Sequence, residues 1–289
     1  MADNSRAINR VFTRTVIDDL LKQRNNEIYD FVVRCYIDDP KNKTHGQIIS
    51  EIYAHLEKEQ RNEYYYVNTL LNKLLAGIHN VSTTTALTQI RIGHHIADFI
   101  MINGEGRVYE IKSDLDRFDR LYEQLADYYT AFCKVSVLTS INELSRVKKI
   151  LSSFGSMGEA VGIYVLTQNS TIFNKQRSRE PMQFEDCLTH TAIFKLLRKR
   201  EYEHILHNFF HELPQATPAF YFKACLNLFQ QIPILEAQKL TFKELKKRNI
   251  IEKKAFDKIQ SELKSVVYFS ELSSKIQLLE PMLQTYYGG

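Results

Sequence analysis

Residues 96–112, IADFIMINGEGRVYEIK, decide how this chain is read. Two short runs rich in β-branched and aromatic residues flank Asn103-Gly104-Glu105-Gly106, a strong hairpin signal. In the second run alternate residues share a face, so Glu110 and Lys112 point one way and Ile111 the other. Asp98 lies in the first run among Ile96, Phe99, Ile100, Met101 and Ile102, where a carboxylate is costly unless paired or bound to metal. Turn length decides whether Asp98 faces Glu110. A two-residue turn at Asn103-Gly104 pairs Ile102 with Glu105 and sets Asp98 against Tyr109, on the wrong face. A three-residue turn, Asn103–Glu105, pairs Ile102 with Gly106 and sets Asp98 against Glu110, about 5 Å apart at Cβ. An odd-length turn or a compensating bulge is therefore expected.

Two carboxylates on adjacent strands with a lysine beside them form a coherent site. Oxygen ligands suit Mg²⁺ or Mn²⁺, which keeps several waters and needs only one or two protein carboxylates. Such an ion lowers the pKa of a bound water and offsets charge on a phosphorane-like transition state. Lys112, a compact cation, could stabilise the attacking hydroxide or the non-bridging phosphate oxygens. The bland alternative is a structural salt bridge on a solvent-facing sheet. The apolar surroundings of Asp98 argue against it.

Outward from the hairpin, the pattern predicts strands over 86–92, 96–102 and 107–112, then a helix capped by Ser113 or Asp114. The stripe of that helix is Leu115, Phe118, Leu121, Tyr122, Leu125, Tyr129 and Phe132. A strand at 135–139, a helix at about 141–154 and a strand at 160–166 follow. The expected core is α/β, with an antiparallel meander and a parallel crossover. On the N-terminal side, 6–75 reads as helical with a break at Asp38–Lys43 and a stop at Gly77. Beyond Ser170 the chain reads as helical to its end. Three regions are expected: helical 1–60, the core 61–175, and helical 176–289, with a boundary near Asn174–Arg179.

Asp98, followed after a hairpin by Glu110-Ile111-Lys112, resembles the signature of the PD-(D/E)XK nuclease superfamily. Its restriction-endonuclease-like core is a mixed sheet flanked by helices, in the order helix, three strands, helix, strand. Twelve residues past the lysine, Gln124-Leu125-Ala126-Asp127-Tyr128 resembles the QxxxY motif of RecB-type members; four residues apart on a helix, Gln124 and Tyr128 share a face. The stretch 61–139 looks most like a poorly characterised bacterial nuclease-like group. The residue before Asp98 is Ala97, where the signature often has proline. The resemblance implies a Mg²⁺- or Mn²⁺-dependent deoxyribonuclease. Asp98 and Glu110 would be ligands, Lys112 the electrostatic catalyst, and Gln124 and Tyr128 positioners of metal or substrate. The superfamily often adds an acid from the first core helix, and Glu63 fits, in register with Val67, Leu70 and Leu74. DNA is the implied partner, with RNA, a partner protein or a homodimer left open, and DNA repair or defence against phage and mobile elements the implied setting. A non-catalytic subunit with a nuclease fold is the alternative.

Composition sets the outer limits. With 44% hydrophobic and 25% charged residues the chain is globular, and 10 glycines and 6 prolines in 289 residues favour helices over an all-β fold. A net charge of +4 permits a nucleic-acid partner without arguing for one. Cys35, Cys133, Cys187 and Cys225 form no CxxC pair, so reduced thiols in a cytoplasmic protein are expected. MADNSRAINRVF lacks a signal-peptide core, and no apolar run reaches the roughly 18 residues of a membrane span. His94 and His95 precede the Asp98 strand and could touch a scissile phosphate; ordinary loop histidines are the alternative. His204, His207 and His211 share a helical face, a weak zinc pattern. The basic runs Lys195–Arg200 and Lys243–Lys254 could follow a phosphate backbone. Tyr64–Tyr66 could stack on bases or simply pack.

Overall fold

The hairpin expected from 96–112 is present and belongs to a longer ribbon. The structure, a computed structural model, describes residues 2–59, 61–78, 81–172, 177–249 and 251–288. Its strands β1 (Thr85–Leu87), β2 (Ile90–Ile92), β3 (His95–Ala97), β4 (Phe99–Asn103) and β5 (Glu105–Lys112) run back and forth. β1 pairs with β4 (Leu87 with Ile100) and β2 with β3 (Ile90 with Ala97), all in one continuous antiparallel register. The strands expected at 86–92 and 96–102 are thus each divided. The break falls where Gln89 takes a left-handed backbone (φ 55°) and Asp98 leaves the ladder. The lower half joins the main sheet and the upper half forms a separate two-stranded hairpin.

The chain divides into two compact units, 1–82 with 251–289, and 83–250. The first unit opens with helices α1 (Ala2–Val11), α2 (Arg14–Leu21), α3 (Glu27–Tyr36), α4 (His45–Glu59) and α5 (Glu63–Leu71). α5 continues as a wider π turn through Ile78, past the stop expected at Gly77. The expected break at Asp38–Lys43 is a short 3₁₀ turn entered through Asp39 at φ 48°.

The second unit is mixed α/β. After β5 come α6 (Leu121–Tyr129), β6 (Lys134–Ser140), α7 (Leu144–Ser152), α8 (Gly155–Ala160) and β7 (Gly162–Leu166). The five-stranded sheet has the order β1-β4-β5-β6-β7, antiparallel up to β5 and parallel beyond it. Helices α9 (His190–Lys195), α10 (Lys199–Phe210), α11 (Pro218–Phe229) and α12 (Ile234–Leu245) complete it. The first unit then resumes with α13 (Lys253–Asp257), α14 (Lys264–Tyr268) and α15 (Ile276–Gln284). Residues 177–189 are irregular, where helix was expected, and the expected boundary near Asn174–Arg179 lies partly outside the described residues. No helix among the described residues is long and apolar enough to cross a membrane.

The core lies between one sheet face (Ile100, Ile102, Val108, Val135, Val137, Ile163, Val165) and α6 through α12. Gly106 permits a close approach within this core. A Cβ there would sit 2.5 Å from Phe242, which stacks on Phe132 at 5.2 Å between ring centroids.

α6 begins at Leu121, not at Ser113. The Asp116 carboxylate accepts from both the backbone N–H and the hydroxyl of Ser113 (2.7 and 2.6 Å), while the Ser140 hydroxyl donates to Asp114. These local bonds offer the backbone an alternative to a helical turn. Leu115, ahead of the helix, is consequently exposed (69%); Tyr122, inside α6, is exposed as well (52%), whereas Phe118, Leu121, Leu125, Tyr129 and Phe132 are buried.

Candidate active site

β5 ends with one neighbour instead of two. Towards β6 its last residues stay in the parallel ladder, with Glu110 beside Val137 and Lys112 beside Thr139, whose hydroxyl donates to the Lys112 carbonyl at 2.8 Å. Towards β4 the ladder stops at Phe99 opposite Tyr109. The hairpin pairs Ile102 with Gly106 and Asn103 with Glu105, leaving Gly104 at the apex with φ 74°. This is the odd register. Extended by one residue, it puts Asp98 opposite Glu110. Instead of continuing the strand, Asp98 turns its carboxylate to the free edge and accepts the Ile111 N–H at 2.8 Å.

Glu110 and Lys112 share the sheet face that meets α6. Both are nearly sealed, at 1% and 7% exposure. The Lys112 ammonium lies 2.8 Å from Glu110 Oε1 and donates to Gln124 Oε1 at 2.9 Å. The Tyr128 hydroxyl stands 2.7 Å from Glu110 Oε2 and 3.0 Å from the Ile96 carbonyl. A phenol has one proton, and the charged carboxylate is the stronger acceptor. Burial, and then the charges of Glu110, Asp98 and Asp127, hold this hydroxyl far above the ordinary phenol range. Tyr128 is therefore a hydrogen-bond donor and not a base. Five residues singled out in the sequence (Asp98, Glu110, Lys112, Gln124 and Tyr128) thus meet in one connected cluster.

Glu63, the sixth, does not share their unit. It is exposed at the first position of α5, behind the Asn62 cap, while Val67, Leu70 and Leu74 of the same helix are buried. The burial expected for it is absent, because the first turn of the helix points that position to solvent.

Asp127 is the residue that the sequence reading passed over. Its Oδ2 accepts from the His94 backbone N–H (2.8 Å) and lies 2.7 Å from His95 Nδ1, clamping the β2–β3 turn onto α6. Gly93 makes the clamp possible. It has φ 59°, and a Cβ there would stand 2.4 Å from the Asp127 carboxylate. The available signal was Gly93-His94 as a two-residue turn with glycine in the position that needs positive φ. His95 is thus engaged by Asp127, whereas His94 contributes its backbone and keeps its ring exposed.

The other candidates resolve into structure. His204 is held by Glu244 and Asn208, His190 by the Ile232 carbonyl, and His211 ends α10 at φ 61°. Tyr65 and Tyr66 are buried, and the Tyr64 hydroxyl donates to the Glu262 carbonyl. In the second basic run Arg248 pairs with Glu201 and Lys247 with Glu244, and the run crosses the boundary between the units.

The cluster fits a hard divalent ion. Its two carboxylates outweigh one ammonium, so the buried site is net anionic, and its donors are oxygen. No group of three or more His, Cys, Asp or Glu side chains suited to a metal occurs among the described residues. Mg²⁺ does not need one, because it is commonly held by one or two carboxylates and retained water.

No curated protein and no solved structure matched the chain. The family described as bacteriophage P4 protein cII matches residues 56–274, well over half of the 289, including the whole second unit and parts of the first. On that match the chain belongs to the bacteriophage P4 protein cII family.

Proposed function

We propose that the chain is a Mg²⁺- or Mn²⁺-dependent deoxyribonuclease whose centre is Asp98, Glu110 and Lys112. One observation carries this reading. A sealed lysine is held between a carboxylate and an amide oxygen, at 2.8 and 2.9 Å, at the end of a strand whose free edge is taken by a second carboxylate. Asp98 and Glu110 would hold the ion, which when bound supplies a more acidic water and offsets phosphate charge.

The remaining work falls to the chain. Tyr128 fixes one oxygen of Glu110, and the Ile111 N–H fixes one oxygen of Asp98, so both carboxylates have set orientations. Lys112 offers positive charge to the attacking hydroxide or a non-bridging phosphate oxygen. Gln124 holds Lys112 when Glu110 is engaged elsewhere. Glu63 enters this proposal only through the resemblance.

The test is cleavage of circular single-stranded, circular duplex and linear duplex DNA with Mn²⁺, Mg²⁺ or EDTA. Metal-dependent cutting by the wild type, lost in Lys112→Ala that still folds and binds DNA, is the expected result. Wild-type-like cutting by Lys112→Ala would sink the assignment.

One observation favours a second reading, a non-catalytic subunit with a nuclease fold: both Glu110 oxygens are already occupied, by Lys112 and Tyr128. Thermal stabilisation by Mn²⁺ separates the two. A working site shows it in the wild type and loses it in Asp98→Ala.

A further inference from the structure

The first unit carries an open cavity of about 620 Å³ that the nuclease reading does not use. It lies between the end of α2 with the turn that follows, the start of α3 with His45, and α15 with the residues after it. Its volume falls in the range of small-molecule sites, about 300–1,000 Å³. We propose that it binds a small planar aromatic anion, with the ring against His45 and Tyr287 and the negative group at Arg24.

Three aromatic rings line one side of the cavity, His45 and Tyr287 half-buried and Tyr29 itself sealed at 1% exposure. Tyr29 and His45 are 5.5 Å apart at their centroids, Tyr29 and Tyr287 6.2 Å, and His45 and Tyr287 6.1 Å. None of the three pairs is parallel, at 43°, 57° and 76° between planes. Tilted and edge-on pairs at these distances are ordinary aromatic packing, so the faces left to a ligand ring are those of His45 and Tyr287. Leu20 and Met282 add buried apolar surface, and Leu278 adds an exposed apolar edge.

Polar groups around the cavity decide the sign of the ligand. The Tyr29 hydroxyl lies 2.8 Å from His45 Nδ1, and burial holds the imidazole below its ordinary pKa against the pull of Asp30. A neutral His45 that accepts from Tyr29 at Nδ1 carries its proton on Nε2 and can donate it. The Asp30 carboxylate accepts the Tyr287 hydroxyl at 3.0 Å, so the negative charge at the cavity already has a donor. Arg24 differs. Arg24 is an exposed lining residue whose side chain makes no hydrogen bond or ion pair with another described residue. The unanswered charge is positive, and guanidinium forks favour carboxylate and phosphate. Three aromatic rings alone would suit a quaternary ammonium equally well, but the unpaired arginine opposes a cation.

A nucleoside monophosphate and an aromatic carboxylate both satisfy this chemistry. The experiment titrates the full chain, in EDTA, with adenosine 5′-monophosphate, guanosine 5′-monophosphate, indole-3-acetate and phenyltrimethylammonium, and follows heat by calorimetry. Saturable binding of at least one anion and none of the ammonium is expected, and the arm that binds identifies the source. Arg24→Ala, at an exposed position, should weaken binding about 10- to 100-fold, the span of a charge-assisted hydrogen bond. Tyr287→Ala should abolish binding while Tyr287→Phe retains it, and Lys112→Ala should leave it unchanged. The proposal is overturned by no saturable binding of any anion, by equal binding to Arg24→Ala, or by preferential binding of the ammonium. A loss in Lys112→Ala also overturns it, since it would move the ligand to the nuclease centre.

Discussion

Replacing Glu110 by glutamine keeps its shape and removes its charge, and the Lys112 beside it decides the consequence. In the wild type the two ends are 2.8 Å apart, with side-chain exposures of 9% for the lysine and 2% for the glutamate. Removing one partner of a buried pair costs about 3–5 kcal/mol, because the other charge stays buried without compensation. Lys112 keeps the Gln124 oxygen at 2.9 Å, and Tyr128 can turn its proton to the Ile96 carbonyl at 3.0 Å, so the lower end applies. About 3 kcal/mol corresponds to roughly 6–12 °C in melting temperature, at about 2–4 °C per kcal/mol for domains of this size. Adding Lys112→Met removes the stranded charge. The double variant should return to within about 1 kcal/mol of wild type, recovering about 2 kcal/mol of the loss in Glu110→Gln. Melting followed by circular dichroism in EDTA measures this without contribution from bound metal, and none of the variants should cut DNA. If Glu110→Gln melts within about a degree of wild type and the double variant gains nothing, the lysine reaches water. The pair is then an ordinary surface salt bridge worth about 0–1 kcal/mol.

Tyr128→Phe removes the donor that fixes Glu110 Oε2. It should raise the Mn²⁺ concentration for half-maximal cleavage about 10- to 100-fold, the usual cost of losing a group that orients a ligand; an unchanged metal dependence would show that Glu110 needs no such support. Gly93→Ala puts a methyl group 2.4 Å from the Asp127 carboxylate at φ 59°. It should free the β2–β3 hairpin, read as faster hydrogen exchange over residues 90–97, with β5 and β6 still protected. In the first unit, burial depresses the pKa of His45, whose ring faces Tyr29, Asp30 and Tyr287. The unfolded chain then takes the proton first, so stability contributed by neutral His45 is full above about pH 6.5 and falls as pH drops below it. His45→Gln should flatten the acid side of the stability profile between about pH 6.5 and the folded-state pKa, and an unaltered profile would remove His45 from the account.

What could be read from the sequence was whatever obeys short-range parity. Glu110 and Lys112 share a face in any strand, and Asp98 can meet Glu110 only through an odd register, so the turn could be argued before it was seen. The bend at Asp98 could not. It depends on a side-chain carboxylate replacing a backbone carbonyl as acceptor for Ile111, which the strand pattern does not encode. The start of α6 was misplaced for a related reason: Ser113 and Asp116 satisfy each other locally, and periodicity does not count that competition. Asp127 stayed invisible because its partners, Gly93 to His95, are more than 30 residues away in sequence. The exposure of Glu63 at the first turn of α5 is a tertiary fact that the repeat of Val67, Leu70 and Leu74 cannot supply.

The location of the polar cluster is itself an argument about why it exists. Its face of the sheet is otherwise lined by Ile100, Val108, Val135, Val137, Ile163 and Val165, and α6 offers Leu125 and Tyr129 beside Gln124 and Tyr128. Apolar residues at 110, 112 and 124 would continue that packing, and replacing a buried ion pair by hydrophobic side chains of similar volume is often neutral or stabilising by about 1–4 kcal/mol. The cluster is therefore not there to hold the fold together. Nor is it needed to set strand register, which the hairpin and the β5–β6 ladder already fix through backbone pairing. A glutamate, a lysine and an amide oxygen satisfied by one another, with an aspartate at the only unpaired edge of β5, keep a net negative charge that packing alone would have removed. That residual charge is what a divalent ion would neutralise in the proposed nuclease, and packing alone gives no reason for it.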